Sequence, residues 1–383
     1  MKKLVSLLLA MAMVFGLTAC TGNKPSNSQP ADPSQNASQN MDPSQGADKM
    51  YAQGVTDTTI KIANSAATSG SYAPVGVPFN AGIQAYLNMV NASGGIDGRT
   101  IEFLHTDDEF DPVKGKAALQ NFVEDEKVFA IVGHFGTPVV GATIGDLKDY
   151  GIPAVYFATG IGQLYADHAT TNEEGYNIFP VQPIYTTEGQ IMVARGVGSF
   201  NATKIGIIYT NDDAGKDMLS GAESKCKELG IPYAAEQVTA GSSDVSAAVT
   251  AIKNAGVDFI ICAAIQATMP TIVKELAAQG NTAPVITTYV NVSSASPPLV
   301  SADIAGKFDV YGNGWVAYDD ADALALYQEW VSKIDESYTM NAYAQTGWIA
   351  AHFFCEGLRR IEGQDITWEN YMNALETGGY IQN

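Results

Sequence analysis

The sequence predicts an α/β protein made of two doubly wound parallel-sheet lobes joined by a hinge. From residue 59 onwards, apolar runs of strand length alternate with amphipathic stretches of helix length. This is the pattern of parallel strands covered on both faces by helices. The alternation breaks at Tyr176–Ile184 (YNIFPVQPI), where two prolines interrupt an extended run and exclude a central strand. It then restarts through a second set of strands. The chain's 383 residues also exceed the roughly 250 to 300 at which a single core stops growing.

The first strand is Thr59–Ala66, with Ile60 and Ile62 on one face. A polar turn, Thr68–Tyr72, leads to a helix over Pro74–Ala92. That helix stops at Ser93-Gly94-Gly95, because glycine takes the left-handed conformation of a helix end at little cost. Asp97-Gly98 turns the chain into a strand, Thr100–His105. Asp111-Pro112 starts the next helix, acid at the cap and proline at the first helical position, and it runs to Lys127. Val128–Gly133 is a strand, followed by a helix to Tyr150 and a strand over Pro153–Ala158.

After the break, strands are expected at Lys204–Tyr209, Tyr233–Val238, Phe259–Ala264, Pro284–Tyr289 and Lys307–Trp315. Helices fall near Thr186–Ser199, Ala214–Gly230, Ser243–Ala255 and Ala267–Gln279. A second crossing near Val316–Tyr318 returns the chain, so that helices Asp320–Ile334 and Asn341–Ile361 pack on the first lobe. The first lobe is then residues 55–182 with 317–383, and the second is 183–316.

The N-terminus carries Lys2 and Lys3, an apolar run from Leu4 to Leu17, and Leu17-Thr18-Ala19-Cys20. Residues 1–19 read as a secretory signal with small residues before the cut. The run is too short for a membrane span, and Gly16 interrupts it. Leu-Thr-Ala-Cys resembles a bacterial lipobox, which implies cleavage before Cys20 and lipidation of its thiol and new amine. The chain would then sit on the extracytoplasmic face of the cell membrane, since several acyl chains anchor stably where one does not. Residues 20–54 are the lipidated cysteine and a tether rich in Ser, Asn, Gln, Pro and Asp, too polar to offset the entropy of ordering.

With 41 Asp+Glu against 21 Lys+Arg and a formal charge of −20, nucleic acid is not an expected partner, because clustered cations supply most of that affinity. Cys226, Cys262 and Cys355 cannot all pair internally. Cys262 lies in the apolar run FIICAAI and Cys355 on an apolar helix, so buried thiols are expected. None has metal spacing, and His105, His134, His168 and His352 are scattered, so no metal is expected. Asp107-Asp108-Glu109 with Asp111 lacks the glycine-centred loop of a calcium site. Gly160-Ile161-Gly162 opens like a dinucleotide fingerprint, but Tyr165 replaces its third glycine, so no cofactor is expected. There is no Gly-x-Ser-x-Gly elbow and no nucleophile–base pair, so the protein reads as a binder and not an enzyme.

In open parallel sheets, ligands bind outside the carboxyl ends of the strands. Gly136-Thr137 and Ala158-Thr159-Gly160 stand at such ends and combine free backbone N–H groups with hydroxyls, equipment suited to a small carboxylate. Thr137 reads equally as a cap on its own helix. The facing lobe offers Asp212, Gln266, Tyr289 and Asn291 at its strand ends. Tyr72 is placed to stack on an apolar part of the ligand.

The stretch GGIDGRTIEF…DDEFDPVKGKAALQNFV…VFAIVGHFGT resembles the periplasmic binding-protein type I family, in its branched-chain amino acid-binding subfamily. It carries a Gly-Gly-Ile-x-Gly turn, then Asp-Asp-x-x-Asp-Pro, then a strand ending in glycine. The resemblance extends from Val55 to the C-terminus. It implies hinged closure of two lobes on an amino acid or a related carboxylate or amide, and delivery by a monomer to an ABC permease. A receptor of the same fold feeding a signalling partner is the alternative, and a secreted α/β enzyme a remoter one.

The resemblance further implies that Thr137 and the Ala158–Gly160 turn hold the ligand's α-carboxylate. Such relatives carry a glutamate for the ligand's ammonium around Val290–Asn291 and an aromatic near Ala214, and this chain has neither. Either Asp212 or Asp213 substitutes, or the ligand is not an ordinary α-amino acid. Relatives also cross a third time between lobes, whereas this chain stops after a helix at Tyr380-Ile381-Gln382-Asn383, as if truncated.

Overall fold

A computed structural model describes residues 51–166, 176–317 and 319–381. The signal segment, Cys20, the tether up to residue 50, His168 and Tyr318 lie outside the described residues. The first half runs β1 (Thr59–Ala66), α1 (Ala73–Ala92), β2 (Thr100–Asp107), α2 (Pro112–Gln120), β3 (Ala130–Phe135), α3 (Thr137–Tyr150), β4 (Ala154–Ala158), α4 (Gln163–Ala166) and β5 (Ile178–Phe179). The second runs α5 (Tyr185–Phe200), β6 (Ile205–Thr210), α6 (Asp213–Leu229), β7 (Tyr233–Val238), α7 (Ser246–Asn254), β8 (Phe259–Ala263), α8 (Thr268–Ala278), β9 (Val285–Thr287), α9 (Pro297–Ile304) and β10 (Val310–Gly312). Then come α10 (Ala321–Val331), α11 (Ala342–Arg359) and α12 (Trp368–Thr377).

The strands form two five-stranded parallel sheets, ordered β2-β1-β3-β4-β5 and β10-β9-β8-β6-β7. Read from its other end, the second order is β7-β6-β8-β9-β10, so both halves share one topology. In that topology the strand order reverses between the first and third strands of each half, where a crevice opens at the carboxyl ends.

Several elements differ from expectation. The proline-rich stretch contributes β5, a two-residue strand at the sheet edge paired with β4, a position where Pro180 is tolerated because it needs no ladder donor. The expected strand to Tyr289 ends at Thr287, since Tyr289–Asn291 winds into a single 3₁₀ turn capped by the Thr288 hydroxyl. The strand expected over Lys307–Trp315 shrinks to β10. Helix α9 was not expected in the serine- and proline-rich stretch before it, yet Pro297 sits in its first turn, where a missing N–H costs nothing.

Each half is closed by one helix pair in near backbone contact. A Cβ on Gly82 of α1 would fall on the Ala344 carbonyl of α11, and one on Gly347 of α11 would fall on the Phe79 carbonyl of α1. In the second half, Gly189 of α5 meets Met218 of α6, and Gly221 meets Thr186, in the same reciprocal way. Helix α11 thereby covers the first sheet with its own Ile349, Ala350, Phe354 and Leu358. Trp368 Nε1 ties α12 to the same sheet by donating to the Phe129 carbonyl at 2.7 Å. Cys226, Cys262 and Cys355 are buried free thiols.

Candidate ligand-binding cleft

The carboxyl ends of β3, β4, β8 and β9 meet across a cavity of about 90 Å³. Gly136 holds φ +91° between β3 and α3, a region open to glycine and strained for other residues. This turn brings the unblocked start of α3 to the cavity wall. Thr137 Oγ1 lies 2.8 Å from Thr159 Oγ1, and the Tyr185 hydroxyl, from the start of α5, lies beside both. Burial pushes that phenol's pKa upward, so it stays protonated. Three hydroxyls and a helix N-terminus therefore converge on one patch, which suits an anion.

The remaining wall is largely apolar: Phe79, Phe110, Phe135, Ile265, Trp315 and Val316. Phe110 adopts φ +65° and Gln266 φ +38°, and backbone strain of this kind persists where surrounding contacts over-determine it. For Phe110 the contact is Tyr72, stacked at 3.7 Å and 14°. For Gln266 it is Asn291, whose Oδ1 accepts the Gln266 N–H at 2.7 Å while its Nδ2 donates to Ala264 O and Thr287 Oγ1.

Of the residues expected from sequence, Gly136, Thr137, Ala158, Gln266 and Tyr289 line this cavity. Tyr72, Thr159, Gly160 and Asn291 stand behind it. Gly160 leaves room for Tyr289, whose hydroxyl would lie 2.7 Å from a Cβ there. Asp212 caps α6, its Oδ1 accepting from Thr210 Oγ1 at 2.6 Å and Gly215 N at 3.0 Å. Gln182, Tyr185, Trp315 and Tyr343 also line the cavity; the first three were missed because the segments between the lobes read only as connections, and Tyr343 because its helix read only as packing on the first lobe. The doubled proline and the tryptophan in those segments were the available signal.

The halves are bridged around the cavity. Gly162 N donates to Asp217 Oδ2 of α6 at 2.7 Å, Tyr343 of α11 donates to Val290 O at 3.1 Å, and Ser294 Oγ donates to Met340 O at 3.3 Å.

Two buried carboxyls lie behind the walls. Glu188 of α5 accepts from Thr288 Oγ1 and Tyr289 N, each at 2.6 Å, and from Asn313 Nδ2 at 3.4 Å. Desolvation nevertheless pushes it from 4.5 to about 7. Asp108, fully buried, accepts from Phe110 N at 2.8 Å, and burial raises it from 3.8 to about 6. A folded-state pKa above the unfolded value means that the native state holds the proton more tightly. The stability this confers is complete below the unfolded pKa and is lost as pH rises through about 7 for Glu188 and about 6 for Asp108. Each shift corresponds to roughly 3 kcal/mol. Thermal melts should therefore show a higher Tm at pH 5 than at pH 8. Glu188→Gln should flatten that slope, whereas a Tm rising from pH 5 to 8 would contradict the assignment.

Two parallel-sheet lobes of identical topology, with a strand-end cavity between them, define a two-lobed solute-binding protein. Residues 59–383 match the family model described as "Periplasmic binding protein", and the chain belongs to that family. Among curated proteins it is similar to Leu/Ile/Val-binding protein homolog 2 of Brucella abortus, 24% identical over 293 residues that cover 76% of this chain and 77% of the relative. Homolog 1 of that organism is 26% identical over 284 residues, covering 72% and 73%. Among solved structures, a fatty acid ABC transporter substrate-binding protein from Thermomonospora curvata aligns with TM-score 0.72 at 21% identity, over 86% of this chain and 83% of that one. A branched-chain amino acid ABC transporter from Thermus thermophilus with bound valine aligns with TM-score 0.73 at 16% identity, over 85% of each chain. At these identities the structural likeness establishes the fold. The family and these relatives are binding proteins, not enzymes.

Proposed function

We propose that this chain is the lipid-anchored, extracytoplasmic solute-binding protein of an ABC importer. It takes a small carboxylate between its lobes and presents the closed form to a membrane permease. The observation that carries the reading is the pair Thr137 and Tyr185 on the cavity wall at the start of α3, with the Thr159 hydroxyl behind Thr137 at 2.8 Å. The relatives named for Leu, Ile and Val and the neighbours titled for valine and for fatty acid support a carboxylate as the shared chemical handle. Anchoring is supported by Leu17-Thr18-Ala19-Cys20. No helix among the described residues is long and apolar enough to cross a membrane.

A melting screen of amino acids, amides and organic acids identifies the ligand, which at a hundredfold excess over Kd adds about 2.7 kcal/mol to stability. With that ligand, Thr137→Ala should weaken binding by about 1 to 3 kcal/mol, because a carboxylate oxygen loses its donor. Unchanged affinity in calorimetry removes Thr137 from the site. Cys20→Ser should release the protein from membranes into the soluble fraction, and retention on the membrane refutes lipid anchoring there.

A further inference from the structure

We infer that the ligand is an acid without an ammonium group, whose hydrocarbon chain runs from the cleft into a second, half-open cavity lined mainly by the second lobe. The inference rests on the proposed reading of the cleft as a carboxylate site and specifies the rest of the molecule.

Among the described residues lining the cleft there is no Asp, Glu, Lys, Arg or His. No carboxyl group of the described residues reaches the cleft itself: Asp212 caps α6, Glu188 receives bonds from Thr288, Tyr289 and Asn313, and Asp108, behind Phe110, accepts from Phe110 N while its Oδ2 is buried without a hydrogen-bond partner. An ammonium held here would lose its hydration without gaining a counter-charge, which strongly disfavours it. An apolar chain meets aromatic and branched side chains instead.

The cleft cavity of about 90 Å³ is small, but it adjoins a larger one of about 330 Å³ beneath α9 and beside β10. Val292 and Ala342 belong to the walls of both. Its lining joins apolar Met269, Val300, Ile304 and Val310 to a polar border of Thr287, Asn291 and four serines. Val292 leans over Gly312, where a Cβ would collide with its Cγ2, so the missing side chain at Gly312 gives this partition its place. With the carboxylate at Thr137, the wall shared by the two cavities, Val292 and Ala342, gives an extended chain an apolar way on.

Titration calorimetry on the full mature chain tests this with 4-methylpentanoate against leucine, which differ only in the ammonium, and with hexanoate, octanoate and decanoate. The expected result is 4-methylpentanoate binding about a hundredfold tighter than leucine, the scale of an unpaired buried charge. Affinity should also rise roughly fourfold per methylene along the series. Val300→Phe, which fills the second cavity, should abolish the chain-length gain and leave hexanoate unchanged. Ser301→Leu, at an exposed position on its rim, should reduce the gain without threatening the fold.

Leucine binding as tightly as its deaminated counterpart overturns the inference, as does an affinity flat with chain length or a gain that survives both variants. Leucine binding that weakens in Thr137→Ala would leave the carboxylate reading standing and sink only this extension. If neither the acids nor leucine bind, the carboxylate reading itself falls.

Discussion

Gly136→Val is expected to abolish ligand binding while leaving a folded but weakened protein. At φ +91° a β-branched residue pays about 1 to 3 kcal/mol in backbone strain. Its Cβ would also lie 2.6 Å from Phe110 Cε2, adding about 1 to 3 kcal/mol of overpacking. Neither escape preserves the site. If the turn relaxes to negative φ, the N–H groups at the start of α3 swing away from the Thr137–Thr159 hydroxyl pair. If Phe110 retreats, it loses its stack on Tyr72 and opens the cavity wall. Denaturant melts and calorimetry on the same sample separate the two effects. Binding within a few-fold of wild type would show that the α3 turn does not contact ligand.

Gly347→Leu should cost about 3 kcal/mol, near the upper range for an overpacked interior. Helix propensity pulls the other way, favouring leucine over glycine by about 0.5 to 1 kcal/mol, so the sign tests which effect wins. A Cβ at Gly347 meets the Phe79 carbonyl and lies 3.1 Å from Ile83 N, and backbone atoms of a buried helix cannot rotate aside. Gly145→Ala on α3 is the control, because nothing lies within 4 Å of its Cβ. There propensity acts alone and should stabilise by about 0.5 to 1 kcal/mol. Equal signs for the two variants would show that the α1–α11 crossing has slack.

The alternation that made the two sheets legible exists because strands such as β3 and β8 are buried on both faces. Such strands keep continuous apolar runs that stand out from helical periodicity. Helix α9 left no such trace: only Val300 is buried along it, so its residues carry no apolar stripe. At the site, Gly136, Thr137 and Ala158 were readable because strand-end turns need small residues and hydroxyls. The left-handed backbone of Phe110 and Gln266 was not readable, since it is imposed by Tyr72 and Asn291, distant in sequence. Glu188 carried no signal, because it falls within the expected helix near Thr186–Ser199 and has no motif around it. It is buried because α5 starts beneath Tyr289, a contact that only the assembled second lobe creates.

The most direct test is the distance between the lobes with and without ligand. Spin labels at Val113→Cys, on the exposed face of α2, and Asp309→Cys, beside β10, report it, while Cys226, Cys262 and Cys355 are buried. Hinged closure on a carboxylate predicts a longer, broader distribution in the ligand-free protein, narrowing to the span of the bridged form at saturation. A distribution that does not move when calorimetry shows the site filled would contradict it.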